Sequence, residues 1–325
     1  MNFKELFPDK PIIAMLHLLG GNGKTTLERA KEETDIYIEQ GADAVLVENY
    51  FGDIGDVADT LDWLHHNRAD KVIYGVNLLL PYPNDSFAMA MAYGARFIQI
   101  DSVSGHLPPA IDQQYDELIA SLRMGYEGVV LGGVRFKYQP VRSARTLKED
   151  LEIGMSRCDA IVCTGDATGE ATPIDKLQEF REHIGQFPLI VGAGVSDDNI
   201  RASMTLADGA IIGSYFKMLH EAHGEVKPEY VHELTTINRA LREKKQAKPV
   251  AIDGYVFRNE QDRLYFSKKE PKKGYFIGDH GVCYDTLDVK DEYPFPVELP
   301  EGWMPDLHFD NSPQRFTLTL TPTKA

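Results

Sequence analysis

Eight short apolar runs recur along the first 215 or so residues of the 325-residue chain, and they restrict its fold more than any other feature. The last two end in glycine turns, Phe187-Pro188-Leu189-Ile190-Val191-Gly192-Ala193-Gly194-Val195 and Ala207-Asp208-Gly209-Ala210-Ile211-Ile212-Gly213-Ser214. Both runs are continuous, where a strand with one wet face would alternate, so they read as strands buried on both faces of a parallel sheet. Six runs precede them: Lys10–His17, Ala42–Asn49, Lys71–Leu79, Arg96–Asp101, Glu127–Gly133 and Asp159–Gly165. Their spacing of roughly 20 to 32 residues is that of the βα units of an eight-stranded barrel.

The segments between the runs carry helical periodicity. Thr25–Gln40 places Leu27, Ala30, Ile36 and Ile38 in a charged stretch that stops at Gly41. Val57, Leu61 and Leu64 mark another helix, and Ile111, Leu118, Ile119 and Leu122 a further one. Ser143–Met155, Pro173–Ile184, Asp197–Leu206 and Glu229–Glu243 complete the helical readings. A small echo accompanies the strands: Gly41-Ala42-Asp43, Tyr126-Glu127-Gly128, Asp159-Ala160 and Asp208-Gly209 each put an acid just before a run. We therefore expect an α/β chain with a (β/α)8 TIM-barrel domain over residues 1–248. After Pro249 the chain changes to aromatic and β-branched pieces, namely Tyr255-Val256-Phe257, Leu264-Tyr265-Phe266, Gly274–Gly278 and Phe316–Leu320. Residues 249–325 are expected to form a small antiparallel β-rich appendage.

Composition narrows the partners. A net charge of −16 argues against a general nucleic-acid binder, whose phosphate contacts demand a basic footprint. No apolar run nears the roughly 20 residues that span a bilayer. Met1–Asp9 is mixed and short and unlike a secretory leader, and Cys158, Cys163 and Cys283 form neither a CxxC nor an even framework. A cytoplasmic, thiol-reduced setting is expected, with the chain as a homo-oligomer.

In a barrel the chemistry lies at the C-terminal strand ends. Those positions hold His17, Glu48, Asn49, Asn77, Asp101, Arg135, Lys137, Cys163, Thr164, Asp166 and Ser214, a density of polar groups that a purely structural barrel does not need. Glu48 and Asp101 are carboxylates that can divide acid and base work, or hold a divalent metal with His17. No paired-histidine spacing supports a metal, and no cofactor signature is present. The opposing reading is that each carboxylate only caps or pairs with a loop. Thr164-Gly165-Asp166-Ala167-Thr168-Gly169 offers hydroxyls and amides for a phosphate or a sugar, as an ordinary loop also would. Lys137 and Arg135 are the nearest cations to the mouth. In barrels the loops after strands 7 and 8 commonly grip phosphate, so Gly192, Gly194, Gly213 and Ser214 read as an anion cradle, with Lys217 beside them. Gly20-Gly21-Asn22-Gly23-Lys24-Thr25 imitates a P-loop but has Leu18 where the motif demands its first glycine. Cys163 reads as a small buried residue ahead of a nucleophile.

Taken together, Pro11–His17, Gly41–Asn49, Asp159–Gly169, Val191–Val195 with Asn199, and Ala207–Ser214 with Lys217 resemble the BtpA/SgcQ family over roughly residues 10 to 245. The resemblance implies a phosphate-binding TIM barrel with Glu48, Asn49, Thr164, Gly165, Thr168, Gly169, Gly192, Gly194, Gly213, Ser214 and Lys217 around the pocket. One branch of that family is linked to photosystem I biogenesis, and another sits among sugar-utilisation proteins with nucleosidase-like labels. One departure is local: the first loop of the family usually bears a proline after the histidine, where this chain has Leu18-Leu19-Gly20-Gly21. The expected function is an enzyme acting on a small phosphorylated sugar or nucleoside-type metabolite, with Glu48 or Asp101 as acid and base, Lys137 or Arg135 as the anion clamp, and Asn77 near the substrate. The competing class is a non-catalytic assembly or scaffold protein with a vestigial phosphate site.

Overall fold

The computed structural model describes residues 1–7, 9–79, 83–246, 250–258, 264–267, 292–294, 303–309 and 316–322. They form two compact units, residues 1–239 and 240–325.

The first unit is a closed barrel of eight parallel strands: β1 (Ile12–Leu16), β2 (Ala44–Glu48), β3 (Ile73–Asn77), β4 (Phe97–Ser104), β5 (Val129–Val134), β6 (Ala160–Thr164), β7 (Leu189–Gly192) and β8 (Gly209–Ile212). β8 pairs with β1 to close the ring. Seven helices lie in the crossovers: α2 (Thr26–Glu39), α3 (Ile54–Asn67), α4 (Asn84–Tyr93), α5 (Pro109–Met124), α6 (Leu147–Arg157), α7 (Ile174–Ile184) and α8 (Ile200–Leu206); α9 (Pro228–Gln246) follows β8. The sequence dictates several starts directly. Thr25 with Glu28, Asp53 with Asp56 and Thr146 with Glu149 each make a reciprocal capping box, satisfying N–H groups that a helix end leaves open. α6 begins at Leu147, not at Ser143, because Thr146 is the cap and Ser143 turns its hydroxyl to the Asp150 carboxylate at 2.9 Å. α4 has no marked apolar stripe, which is why periodicity passes over it.

The acid echo before the strands has a structural cause. Asp43, Asp159 and Asp208 each donate their own N–H to the preceding strand, at Ile12, Val130 and Leu189. Their carboxylates then accept the N–H of the same three residues at 2.8, 2.8 and 3.0 Å. Each acid is thus a two-bond clasp that sets where a strand enters beside its neighbour.

The barrel interior is a packed core. Ile13, Met15, Ala44, Leu46, Phe97, Val129, Leu131, Ala160, Val162, Ile190 and Ile211 point inward in one buried cluster. They alternate along each strand with residues that face the helices, as the strand period of two requires. A feature unannounced by the pattern closes the N-terminal end: α1 (Phe3–Leu6), capped by Asn2, delivers Phe3, Leu6 and Phe7 to the same cluster. Phe7 meets the Phe97 ring edge-on at 5.6 Å. The core residues sit below, so the inward positions at the C-terminal strand ends are left for polar side chains.

In the second unit, β9 (Val250–Arg258), β10 (Leu264–Ser267), β11 (Glu292–Pro294), β12 (Trp303–Phe309) and β13 (Phe316–Pro322) form a five-stranded sheet in the order β11-β10-β9-β13-β12. All its pairings are antiparallel. The piece Gly274–Gly278 lies outside the described residues. Among the described residues no helix is long and apolar enough to cross a membrane.

Because Phe7 is 3% exposed within this floor, Phe7→Ala is expected to lower stability by about 3–5 kcal/mol in urea unfolding. A loss below about 1 kcal/mol would show that α1 is no part of the core.

Candidate active site

Parallel register brings the strand-end side chains to one level. Glu48 lies opposite Asn77 in the β2–β3 pairing, and Gln99 and Asp101 follow two residues apart on β4, on its inward face. The Asn77 side chain joins them. Its Nδ2 donates one hydrogen to Glu48 Oε1 at 2.8 Å and the other to Asp101 Oδ1 at 3.0 Å, and Gln99 Nε2 donates to the same Asp101 oxygen at 2.9 Å. Two carboxylates are therefore held against one amide nitrogen, in a site where Glu48 is 6% exposed and Asn77 fully buried.

Burial, with the Asp101 charge added to it, pushes the Glu48 carboxyl up to about 7. Burial also raises Asp101, but the hydrogen bonds from Gln99 and Asn77 favour its ionised form. His17, at the end of β1, moves the opposite way. Burial and then the nearby Lys217 charge hold it down to about 3, so the ring is neutral at physiological pH. Its Nδ1 lies 3.1 Å from the Ala222 carbonyl, which can only accept; Nδ1 therefore carries the hydrogen and Nε2 presents a lone pair. That lone pair faces Glu48 Oε2 at 3.9 Å. Since Oε1 is taken by Asn77, Oε2 is the oxygen left to carry the Glu48 proton.

Behind this layer runs a buried ion-pair chain. Lys217, 1% exposed, stands 3.6 Å from Glu33 Oε2, and Glu33 Oε1 accepts from Arg29 Nε at 2.9 Å. Arg29 continues to the carbonyls of His223 and Gly224, next to the Ala222 that fixes His17.

Above it lies a cavity of about 50 Å³ lined by His17, Glu48, Gln99, Lys137, Thr164, Thr168 and the backbone of the loops after β7 and β8. Lys137 is the one Lys or Arg among the described residues of this lining, and its Nζ donates to Thr168 Oγ1 at 3.0 Å. The turn after β7 is left-handed at Ala193 and Gly194, with φ of 66° and 59°. A Cβ at Gly194 would lie 2.2 Å from the backbone of residues 170 and 171, so only glycine allows the loops after β6 and β7 to touch. At Gly213 a Cβ would come within 2.9 Å of the His17 ring. After it begins a short 3-10 helix, η1 (Ser214–Phe216), whose first N–H groups have no acceptor inside the helix.

The structure thus brings together His17, Glu48, Lys137, Thr164, Thr168, Gly169, Gly192, Gly194, Gly213 and Ser214 around one cavity, with Asn77 and Asp101 bonded to its edge. Four expected residues stand elsewhere. Arg135 has a left-handed backbone, φ 46°, which turns it out to the buried Asp150 carboxylate at 2.9 Å and the Arg145 carbonyl. Asn49 spends its Oδ1 on the Leu79 N–H at 2.8 Å, tying the β2 and β3 loops. Gly165 is outside the lining, and Lys217 lies beneath it, paired with Glu33. Cys163 is fully buried, its thiol pushed up to about 12 by burial. The P-loop imitation is a tight turn in which Gly21 bridges Lys24, and Lys24 pairs with the exposed Glu32.

Gln99, Tyr50 and Tyr215 also line the cavity and were not expected. Gln99 was detectable, being a polar residue inside the apolar run Phe97–Asp101. Tyr50, 5.0 Å from the His17 ring, carried no signal, since a loop aromatic beside a strand end has no pattern of its own. Among the described residues no three His, Cys, Asp or Glu side chains converge as metal ligands; the space between the carboxylates is filled by the Asn77 N–H groups.

Comparison with known proteins adds relatives to this geometry. The sequence profile of the BtpA family matches residues 64–236. An uncharacterised protein of Thermococcus kodakarensis is 30% identical over 260 residues, 73% of this chain and 98% of the relative. The photosystem I biogenesis protein BtpA of Synechocystis is 24% identical over 69% of this chain and 85% of its own. A solved structure described as native KDPGal superposes with a TM-score of 0.51 at 15% identity, over 73% of this chain and 97% of that one. At that identity the likeness speaks for the fold alone.

The raised Glu48 group sets a pH dependence. The folded protein keeps its proton up to about 7 and the unfolded chain only to 4.5, so between these values folding binds protons and stability falls as pH rises. Glu48→Gln keeps an acceptor for Asn77 and removes that loss. It is expected to unfold later than wild type at pH 8, by on the order of 2 kcal/mol, with the difference gone below pH 4.5. Equal or lower stability of the variant at pH 8, measured by thermal unfolding, would contradict a buried, proton-holding Glu48.

Proposed function

The chain belongs to the BtpA family, and we propose that it is a barrel enzyme acting on a small phosphorylated sugar or nucleoside-type metabolite. The observation that carries this reading is the buried Glu48–Asn77–Asp101 unit at the C-terminal mouth, beside a cavity with a single cation. Two carboxylates whose surroundings separate their protonation are the ordinary signature of an acid and base pair. Glu48, protonated up to about 7, is the acid, delivering its proton from Oε2. Asp101, with Oδ1 receiving two hydrogen bonds, is the ionised base, acting through Oδ2. Neutral His17 stands 3.9 Å from Glu48 Oε2 and does not compete for the proton, since its own basicity is so low.

The phosphate would lie against the loops after β6, β7 and β8. Lys137 neutralises it, and Thr168, Ser214 and the open N–H groups at the start of η1 supply hydrogen bonds. Binding energy from such a remote anchor serves to place the reacting end at the carboxylates.

A second reading has one specific support, the name of the photosystem I biogenesis relative. It makes this protein an assembly factor in which the mouth is vestigial. The buried charges weigh against it, because an idle site gains nothing from keeping costly carboxylates out of water.

Inorganic phosphate and ribose 5-phosphate separate the two. For the enzyme reading, both raise the melting temperature, with about 2.7 kcal/mol of added stability at 100-fold the dissociation constant. Lys137→Met is expected to remove most of that shift. No shift with either ligand would favour the assembly role.

A further inference from the structure

A second chamber of about 60 Å³ adjoins the mouth on the far side of Gln99, which is the one described residue common to both linings. Its walls include Asp101, Ser102, His106, Tyr115 and Gln139. Three buried polar atoms in these walls have no hydrogen-bond partner among the described residues: Gln99 Oε1, Ser102 Oγ and His106 Nδ1. Gln99 and Ser102 are 3% and 7% exposed. An unsatisfied buried polar atom costs stability, and three around one small space are the mark of a site built for an occupant.

The chemistry of the walls states what kind of occupant. Gln99 Oε1 can only accept, the Asp101 carboxyl offers further acceptor oxygen, and Ser102 can do either. His106 is held down to about 4 by burial and is neutral, and among the described residues no Lys or Arg lines the chamber. An anion finds no charge partner there, whereas hydroxyl groups find acceptors and a donor. The size fits as well. At roughly 10–15 Å³ for each water admitted, about 60 Å³ has room for several waters or for a short run of hydroxyl-bearing carbons. The two cavities stand on either side of Gln99, with Glu48 lining one and Asp101 the other.

We propose that this chamber is the hydroxyl subsite of the ligand whose phosphate occupies the first cavity, so that the substrate is a neutral polyhydroxy compound carrying one phosphate. This rests on the phosphate reading of the mouth, and the test separates the two. Titration calorimetry on the full chain compares inorganic phosphate, erythritol and ribose 5-phosphate, for wild type, Ser102→Val and His106→Phe. Either variant fills the chamber with apolar atoms, and two are used so that one misfolded protein does not end the test. The expected result is ribose 5-phosphate binding at least about tenfold tighter than inorganic phosphate in wild type, with that advantage lost in the variants and phosphate binding unchanged. Ribose 5-phosphate binding no tighter than phosphate, or equally tight in the variants, overturns the subsite and leaves the phosphate site standing. If phosphate fails to bind but erythritol binds wild type and not the variants, the chamber stands and the phosphate reading falls. Binding of none of the three overturns both.

Discussion

One side-chain amide holds the mouth of this barrel together. Asn77 gives both hydrogens of its Nδ2 to carboxylates, and without it Glu48 and Asp101 would each lose a buried hydrogen-bond donor. The strand register places Asn77 level with Glu48, Gln99 shares the load on Asp101, and neutral His17 fits against the remaining Glu48 oxygen only because Gly213 has no side chain. Even the Arg29–Glu33–Lys217 chain serves the same end. It lends positive charge from below, lowering His17 further and easing the negative charge on Glu48. A buried ion-pair chain is weak evidence for stability as such, since desolvation offsets much of its attraction. Here its Lys217 end bears on the protonation of His17 and Glu48.

Much of this was legible because a parallel barrel is regular. The inward face of each strand repeats every second residue, so Met15 and Leu46 in the core make His17 and Glu48 inward residues two positions on. The same period carries Phe97 through Gln99 to Asp101. The acid echo was visible as a repeat before its cause, the two-bond clasp, was known. What sequence could not give depends on single backbone angles and on distant partners. Arg135 leaves the mouth through one left-handed residue, and a run ending Gly-Val-Arg looks the same whichever way it turns. Lys217 is buried because Glu33, on the first crossover helix, comes to meet it. α1 is too short for any period to announce.

The same distinction applies to the family. Membership and the barrel follow from patterns that span the chain, and a barrel shared at 15% identity fixes where a site lies and not what it does. What the site does must be read from a handful of side chains whose spacing in sequence is arbitrary, from His17 to Thr168.

The phenylalanine floor has a consequence at the opposite end of the molecule. With Phe3, Leu6 and Phe7 packed into the core, the N-terminal end of the barrel is shut by apolar side chains. Glu48 lies on the far side of that apolar core, in the lining of the mouth. For a ligand that fills the mouth as proposed, exchange of the Glu48 proton with bulk water would be confined to the free protein, so bulk pH would select which form of the free protein captures it.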